Sequence, residues 1–292
     1  MNAKLRAYLE LVRLPNLFTA AADSLGGFAC NGGGPAQWHV GVALAAASMC
    51  LYAGGVALND VCDADRDRAE RPGPPIPAGR ISRRAGLLAA VGFLIAGVAL
   101  AALASATSAL IAVGITTAIV LYDAVLKGTP AGPLTMGACR ALNLAMGIAG
   151  ASSTVAMFAI PPIVLMGLYV ASVTLFARDE AGRSSPWRLA LGACGVGVAI
   201  AGLLPLTLLS PQRDPSGAVL CTWALIFILS PARRAMRRPT PQSVQAAVKR
   251  FVLGIVLFDA VVAWLGAGWG GALCVGALLI PAVGFARMFR VT

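Results

Sequence analysis

Charge is scarce in this 292-residue chain: 12% of positions, about half the share of an ordinary soluble domain. With 58% hydrophobic residues and a mean hydropathy of +0.80, that scarcity excludes a water-soluble globular fold. Histidine is almost absent. His39, the only one, sits beside Trp38 at the start of an apolar run and reads as an interfacial residue, so chemistry that needs several imidazoles is ruled out. The seven cysteines include no Cys-x-x-Cys pair and are odd in number, which suggests neither a disulfide framework nor a zinc site. The first fifteen residues, MNAKLRAYLELVRLP, lack the apolar core and cleavage site of a signal peptide, so the amino terminus is expected to be retained. Long polar loops are missing as well. The longest, residues 59–84, is too short for a folded domain, and residues 1–292 are read as a single membrane domain.

Apolar runs, by contrast, are abundant. Spanning a bilayer takes about 20 mostly apolar residues, and such runs fall at about 16–30, 39–58, 85–105, 107–125, 132–151, 157–177, 188–209, 217–232, 248–266 and 269–289. Unpaired backbone groups are costly in lipid, so each run is expected to be a helix. The fold class is therefore all-α, a polytopic transmembrane bundle of nine or ten helices. With alternating helices, all but two of the 23 basic residues fall on one side, the exceptions being Arg140, inside the fifth run, and Arg213. That asymmetry places both termini in the cytoplasm, and the protein is expected in a bacterial inner membrane. The net charge of +11 thus reads as orientation charge and not as a nucleic-acid footprint. The basic run RRAMRRPTPQ at 233–242 fits contact with anionic lipid headgroups.

Five of the twelve acids crowd into NDVCDADRDRAE at 59–70, directly after an apolar run. If the helix continues through them, Asn59, Asp63 and Asp67 follow at i, i+4 and i+8, with Asp60 on the same side. Carboxylates gathered this way repel one another unless a cation lies between them, and an oxygen-only cluster suits Mg2+ held together with substrate phosphates. The plainer reading pairs these acids with Arg66, Arg68 and Arg71 on a solvated loop. The next segment, RPGPPIPAGRIS at 71–82, is too proline-rich for a helix and is expected to form a stiff extended cover that returns Arg71 and Arg80 to the mouth.

NDxxDxxxD closing a transmembrane helix, followed by RPxxPIPxGRIS, resembles the first aspartate-rich motif of the UbiA superfamily of intramembrane prenyltransferases. RLPNLFTAAADSLGG at 13–27 and YDAVLK with Arg140 resemble further parts of that family, and the similarity extends over roughly residues 13–265. The resemblance implies a central cavity opening near the cytoplasmic side, and Mg2+ bound through Asn59, Asp60, Asp63 and Asp67 to the diphosphate of an isoprenyl donor. It implies a diphosphate contact for Lys127, with Tyr122 on the preceding turn, although Asp123 and Lys127 at i, i+4 could also form a simple interfacial salt bridge. Two departures stand out. Pro74 occupies a position where the family usually carries Arg, and the second aspartate-rich motif is reduced to Asp179 and Glu180 in TLFARDEAGRSS. That short form resembles the EboC-type branch. By position it implies a metal or diphosphate role for Asp179 and Glu180, with pairing to Arg178 or Arg183 as the plainer reading. The tenth apolar run exceeds the nine helices expected of the family.

Arg140 is deeper. A central Arg costs about 2.5–3.5 kcal/mol on insertion scales, so it should face the bundle interior with a partner. Asn143, Asp23 and Asp259 are candidates, and structural pairing and substrate binding both remain open for Arg140 and Asn143. The expected function is Mg2+-dependent transfer of an isoprenyl group to a lipophilic, aromatic or other electron-rich acceptor, with Asp63, Asp67 and Lys127 as the catalytic residues. Two alternatives on the same fold are a terpene cyclase and a non-catalytic lipid or substrate carrier.

Overall fold

The computed structural model describes residues 2–70, 73–178, 185–212 and 214–288. The ten apolar runs are all helical. A short amphipathic helix, α1 (Ala3–Leu11), precedes α2 (Leu14–Cys30), which runs through the centre of the bundle with 13 of its 17 residues buried. Then follow α3 (Trp38–Cys62), the short α4 (Ala64–Glu70), α5 (Arg83–Ala104), α6 (Ala106–Leu121) and α7 (Gly132–Ala151). The second half comprises α8 (Ile160–Ala177), α9 (Pro186–Ala201), α10 (Leu204–Leu209), α11 (Ser216–Leu229), α12 (Ala232–Arg237), α13 (Pro241–Gly276) and α14 (Leu279–Met288). Among the described residues, seven helical stretches are long and apolar enough to cross a membrane by length and composition, the last being the whole of Pro241–Met288. The chain is a multi-pass membrane protein.

Local signals set the helix starts. Ser82 and Ser105 cap α5 and α6 by accepting from the backbone N–H of Ala85 and Ser108, and Thr240 with Ser243 forms a capping box on α13. Leu88, Ile95 and Leu110 on α5 and α6 are about two-thirds exposed, as side chains facing lipid should be. Tyr169, Phe176, Phe251, Phe258 and Trp264 fill the core between α8 and α13.

Glycines bring α2 and α7 into backbone contact. A Cβ on Gly147 would collide with the Ser24 carbonyl, and one on Gly27 with the Leu144 carbonyl. Small residues at such crossings let dispersion and polar contacts act at short range where lipid gives no hydrophobic drive. The close approach carries Asp23 on α2 to Arg140 on α7.

One expectation is corrected. The segment 73–82 is a compact run of turns and not an extended cover: Ala78 donates to the Pro74 carbonyl, and Arg80 and Ile81 both donate to that of Pro75. Proline's fixed φ suits turns as well as extended chain, Gly79 supplies a positive φ of 71°, and burial of Ile76 and Ile81 against Ala57 and Val61 draws the loop inward. The ninth and tenth runs part at Gly268, between the 248–266 and 269–289 stretches of the sequence reading: its φ of 57° breaks α13. The chain folds back there, so that Gly271 lies against Ala263 and Val275 packs with Val256 and Ala260. α14 then follows α2, with Phe285 stacked on Phe18 at 5.8 Å. The tenth run is therefore a second layer on the central helix.

Candidate functional site

The end of α3 keeps its helical hydrogen-bond register through the acids: Asp63 N–H donates to the Asn59 carbonyl, and Asp67 N–H to that of Asp63. The helix is nonetheless interrupted at Asp63, where α3 stops and α4 begins. The side chains consequently divide into two rows. Asn59 donates to the Asp123 carboxylate at 2.7 Å, and Asp63 pairs with the Lys127 ammonium, so both face the end of α6. Asp60 is buried and pairs with Arg13 at 3.2 Å, and Asp67 is within electrostatic reach of both. Asp65 pairs outward with Arg68 and Arg83, a solvated arrangement of the kind the plainer sequence reading expected for the whole cluster.

Two backbone irregularities aim the cations. After Leu121 the helix widens into a π-turn over Tyr122–Leu126, with Lys127 N–H donating to the Tyr122 carbonyl. Such turns are uncommon and cluster at functional sites. Here the turn sends Asp123 to Asn59 and Lys127 to Asp63. Arg13, at the start of α2, is the one described non-glycine residue with positive φ, at 50°. Left-handed backbone at a side chain other than Gly, Asn or Asp is strained, and this strain directs Arg13 at Asp60. Arg13 was not among the sequence-predicted site residues; only its place in the RLPN segment pointed to it.

Beneath these groups lies a chamber of about 250 Å³. Arg13, Asn59, Asp123 and Lys127 form its rim, Leu51, Val56, Ile115 and Ile119 its apolar walls, and Ser48, Asn143 and Arg140 its inner end. From Asn59 to Ser48 the depth is roughly 16 Å at the helical rise. Arg140 donates to Asp23 at 2.8 Å and to the Thr19 hydroxyl at 3.0 Å, and its guanidinium lies over the Tyr52 ring at 5.1 Å. Asn143 donates to the same Asp23 oxygen and to the Ala20 carbonyl, and accepts from Ser48. Arg140 is thus ion-paired, as the structural branch of the sequence reading expects, and it also lines the chamber.

Arg80 does not reach the acids. It pairs with Glu10 on α1 and donates to the Gly73 carbonyl, tying the amino-terminal helix to the proline-rich loop. Partial burial works to raise the Glu10 carboxyl, but hydrogen bonds from Arg80 and Arg6 outweigh it and hold it below the ordinary carboxylate value. Arg71, Asp179 and Glu180 lie outside the described residues. Among the described residues, no three His, Cys, Asp or Glu side chains converge closely enough to hold a metal ion. Asp60 and Asp63 are partnered instead by Arg13 and Lys127, and Asn59 by Asp123. The oxygen-only donor set of Asn59, Asp60 and Asp63 at the end of α3, with Asp67 in the first turn of α4, fits the chemistry of Mg2+, which needs only one or two protein carboxylates when phosphates complete its shell.

A family model described as the UbiA prenyltransferase family matches residues 20–255. The chain belongs to the UbiA prenyltransferase family. Within the family it is similar to the digeranylgeranylglyceryl phosphate synthase of Methanothrix thermoacetophila, 37% identical over 122 residues that cover 42% of this chain and 46% of that protein. The synthase of the same name from Methanopyrus kandleri is 40% identical over 129 residues, 43% of this chain and 46% of the other. The match thus spans about half the length of these curated relatives. Among solved structures, a digeranylgeranylglyceryl phosphate synthase shares the fold with a TM-score of 0.65 at 18% identity, over 91% of this chain and 99% of that one. A UbiA homologue from Archaeoglobus fulgidus, bound to GPP and Mg2+, aligns with a TM-score of 0.60 at 15% identity, over 88% of this chain and 99% of that one. At such identities these likenesses concern the fold, and they agree with the all-α membrane bundle read from the sequence.

Proposed function

We propose that this protein transfers an isoprenyl group from a prenyl diphosphate to an electron-rich acceptor inside the membrane. The observation that carries this reading is the meeting of Asn59, Asp63, Asp123, Arg13 and Lys127 at the rim of a chamber with apolar walls. The diphosphate head binds at the rim and the tail lies along Leu51, Ile115 and Ile119. On binding, Lys127 and Arg13 exchange their carboxylate partners for phosphate oxygens, which would leave Asp63 and Asp60 free to hold Mg2+. Asn59, Asp60, Asp63 and Asp67 would hold the ion, with Asp179 and Glu180 completing the second motif. Bound Mg2+ neutralises charge on the phosphates. Lys127 and Arg13 supply the same stabilisation as the allylic C–O bond breaks and its electron pair leaves with diphosphate. Exclusion of water by the apolar walls keeps the allylic carbon for the acceptor, which bonds to it and gives up a proton.

Relatives named digeranylgeranylglyceryl phosphate synthase favour a hydroxyl oxygen of a glyceryl phosphate lipid as that acceptor over an aromatic ring. The homologue bound to GPP and Mg2+ supports both the donor class and the ion. The named relatives are archaeal, so the reading extends to a cell membrane of either prokaryotic domain, and the expectation of a bacterial one gains no support. The test is to incubate protein in nanodiscs with Mg2+ and dimethylallyl, geranyl or geranylgeranyl diphosphate, with and without glyceryl phosphate and aromatic acceptors. Prenylated acceptor with release of pyrophosphate is expected. A cyclic hydrocarbon formed without acceptor would assign a cyclase, and binding without pyrophosphate release across the panel would assign a carrier.

A further inference from the structure

Behind the inner end of the chamber are two acids that the proposed reaction does not use. Asp23 on α2 and Asp259 on α13 are both fully buried. Asp23 spends its Oδ2 on Arg140 and Asn143, whereas its Oδ1 and both oxygens of Asp259 accept no hydrogen bond. The two helices are pressed together at this level. A Cβ on Gly26, one turn beyond Asp23 on the same face of α2, would lie 3.1 Å from the Asp259 Cβ, and the Asp259 carboxyl faces that of Asp23.

Two carboxylates in this place would leave three bare acceptors facing each other and one negative charge without a cation. Buried polar groups in membranes are normally satisfied, and buried charges normally paired. Arg140 cancels one carboxylate and is already committed to Asp23. Among the described residues, Tyr169 beside Asp259 spends its hydroxyl on the Phe251 carbonyl at 2.7 Å, and the unpartnered Trp264 Nε1–H belongs to a ring packed toward Gly217 on α11, whereas Asp259 lies against α2. The remaining source of a donor is a proton on the acid itself, since a protonated carboxyl carries one O–H.

We infer that Asp259 is a neutral carboxylic acid donating its O–H to Asp23, so that the two form a one-proton site that holds Arg140 and Asn143 in place at the inner end of the chamber. The proton satisfies two of the three bare oxygens and brings the Asp23–Arg140–Asp259 set to zero net charge. Asp259 is thereby a positioning residue, acting on the chamber through Asp23. It lies beyond residues 20–255, the stretch matched by the family model.

The first test is infrared spectroscopy of the protein in lipid. A carboxylic-acid C=O band, separate from the carboxylate bands and shifted in D2O, is expected in the wild type and absent in Asp259→Asn, with the exposed Asp65→Asn as a control that keeps it. A wild type without such a band, or a band that survives Asp259→Asn, overturns the inference. This readout needs no prenyl transfer, so it stands or fails apart from the proposed function. The positioning role does rest on that reading, and the second test addresses it. Asp259→Ala is expected to raise the KM for donor or acceptor several-fold with a smaller change in kcat, and Asp259→Asn, which still offers an N–H to Asp23, to restore KM. Equal kinetics in the wild type and both variants overturn the positioning role. If Asp259→Ala does not fold, a wild-type KM in Asp259→Asn supports the role, and a KM raised several-fold there overturns it.

Discussion

At the mouth, the Lys127 and Asp63 side chains keep 30% and 23% of their surface accessible, and Arg13 keeps 38%. In the middle of the bundle, Arg140 keeps 11% and Asp23 none. Both regions join Asp to a basic residue, yet they meet opposite energetic demands. A partly wet pair gains little from its Coulomb attraction and can be exchanged for another ion at small cost. A dry pair has lost its hydration, and removing either member strands a charge. The mouth is thus built for turnover of ionic partners, and the inner set for permanence, although both line one chamber.

The largest effect that can break this comparison is on stability. Arg140→Leu should destabilise the fold by about 3–5 kcal/mol by leaving Asp23 uncompensated, and Arg140→Leu combined with Asp23→Asn should recover much of that loss. Unfolding in bicelles checks both, and a silent Arg140→Leu would show that the inner set does not hold the fold together. At the mouth the loss should fall on activity instead. Asp63→Ala and Lys127→Ala should each lower kcat by about 10²–10³, in line with removal of one transition-state contact, with unfolding midpoints near the wild type. Gly147→Ala pushes a methyl into the Ser24 carbonyl and should cost roughly 1–3 kcal/mol, separating Asp23 from Arg140.

The smallest effect belongs to the rim. Glu10→Gln should change stability by less than about 1 kcal/mol, because the Glu10–Arg80 pair is partly solvated. Its pH dependence has a definite sign. A carboxyl held below its ordinary value contributes stability above the unfolded-state value and loses it as pH falls through the lowered folded one, so wild type and Glu10→Gln should converge in acid and differ most near neutrality.

The ten helical runs were legible because lipid leaves the backbone no alternative to a helix. The acid motif and Lys127 were legible because their spacing survives as helical register, and an inward Arg140 paired with Asp23, one of three candidate partners, followed from the cost of a central charge. What could not be read was set by tertiary contact. Nothing in YDAVLK announces a π-turn, and nothing in RLPN announces left-handed backbone at Arg13. The break at Gly268 falls between the runs at 248–266 and 269–289, but nothing local announces that the chain folds back there. The division of Asn59 and Asp63 from Asp60 and Asp67 depends on which cation each row meets.

The most direct measurement is calorimetric binding of a non-hydrolysable geranyl diphosphate analogue to protein in nanodiscs, with and without Mg2+. Binding that strengthens with Mg2+ and weakens at least tenfold in both Lys127→Ala and Asp63→Ala is the expected result. Binding indifferent to Mg2+ and unchanged in both variants would contradict an ion-exchanging mouth.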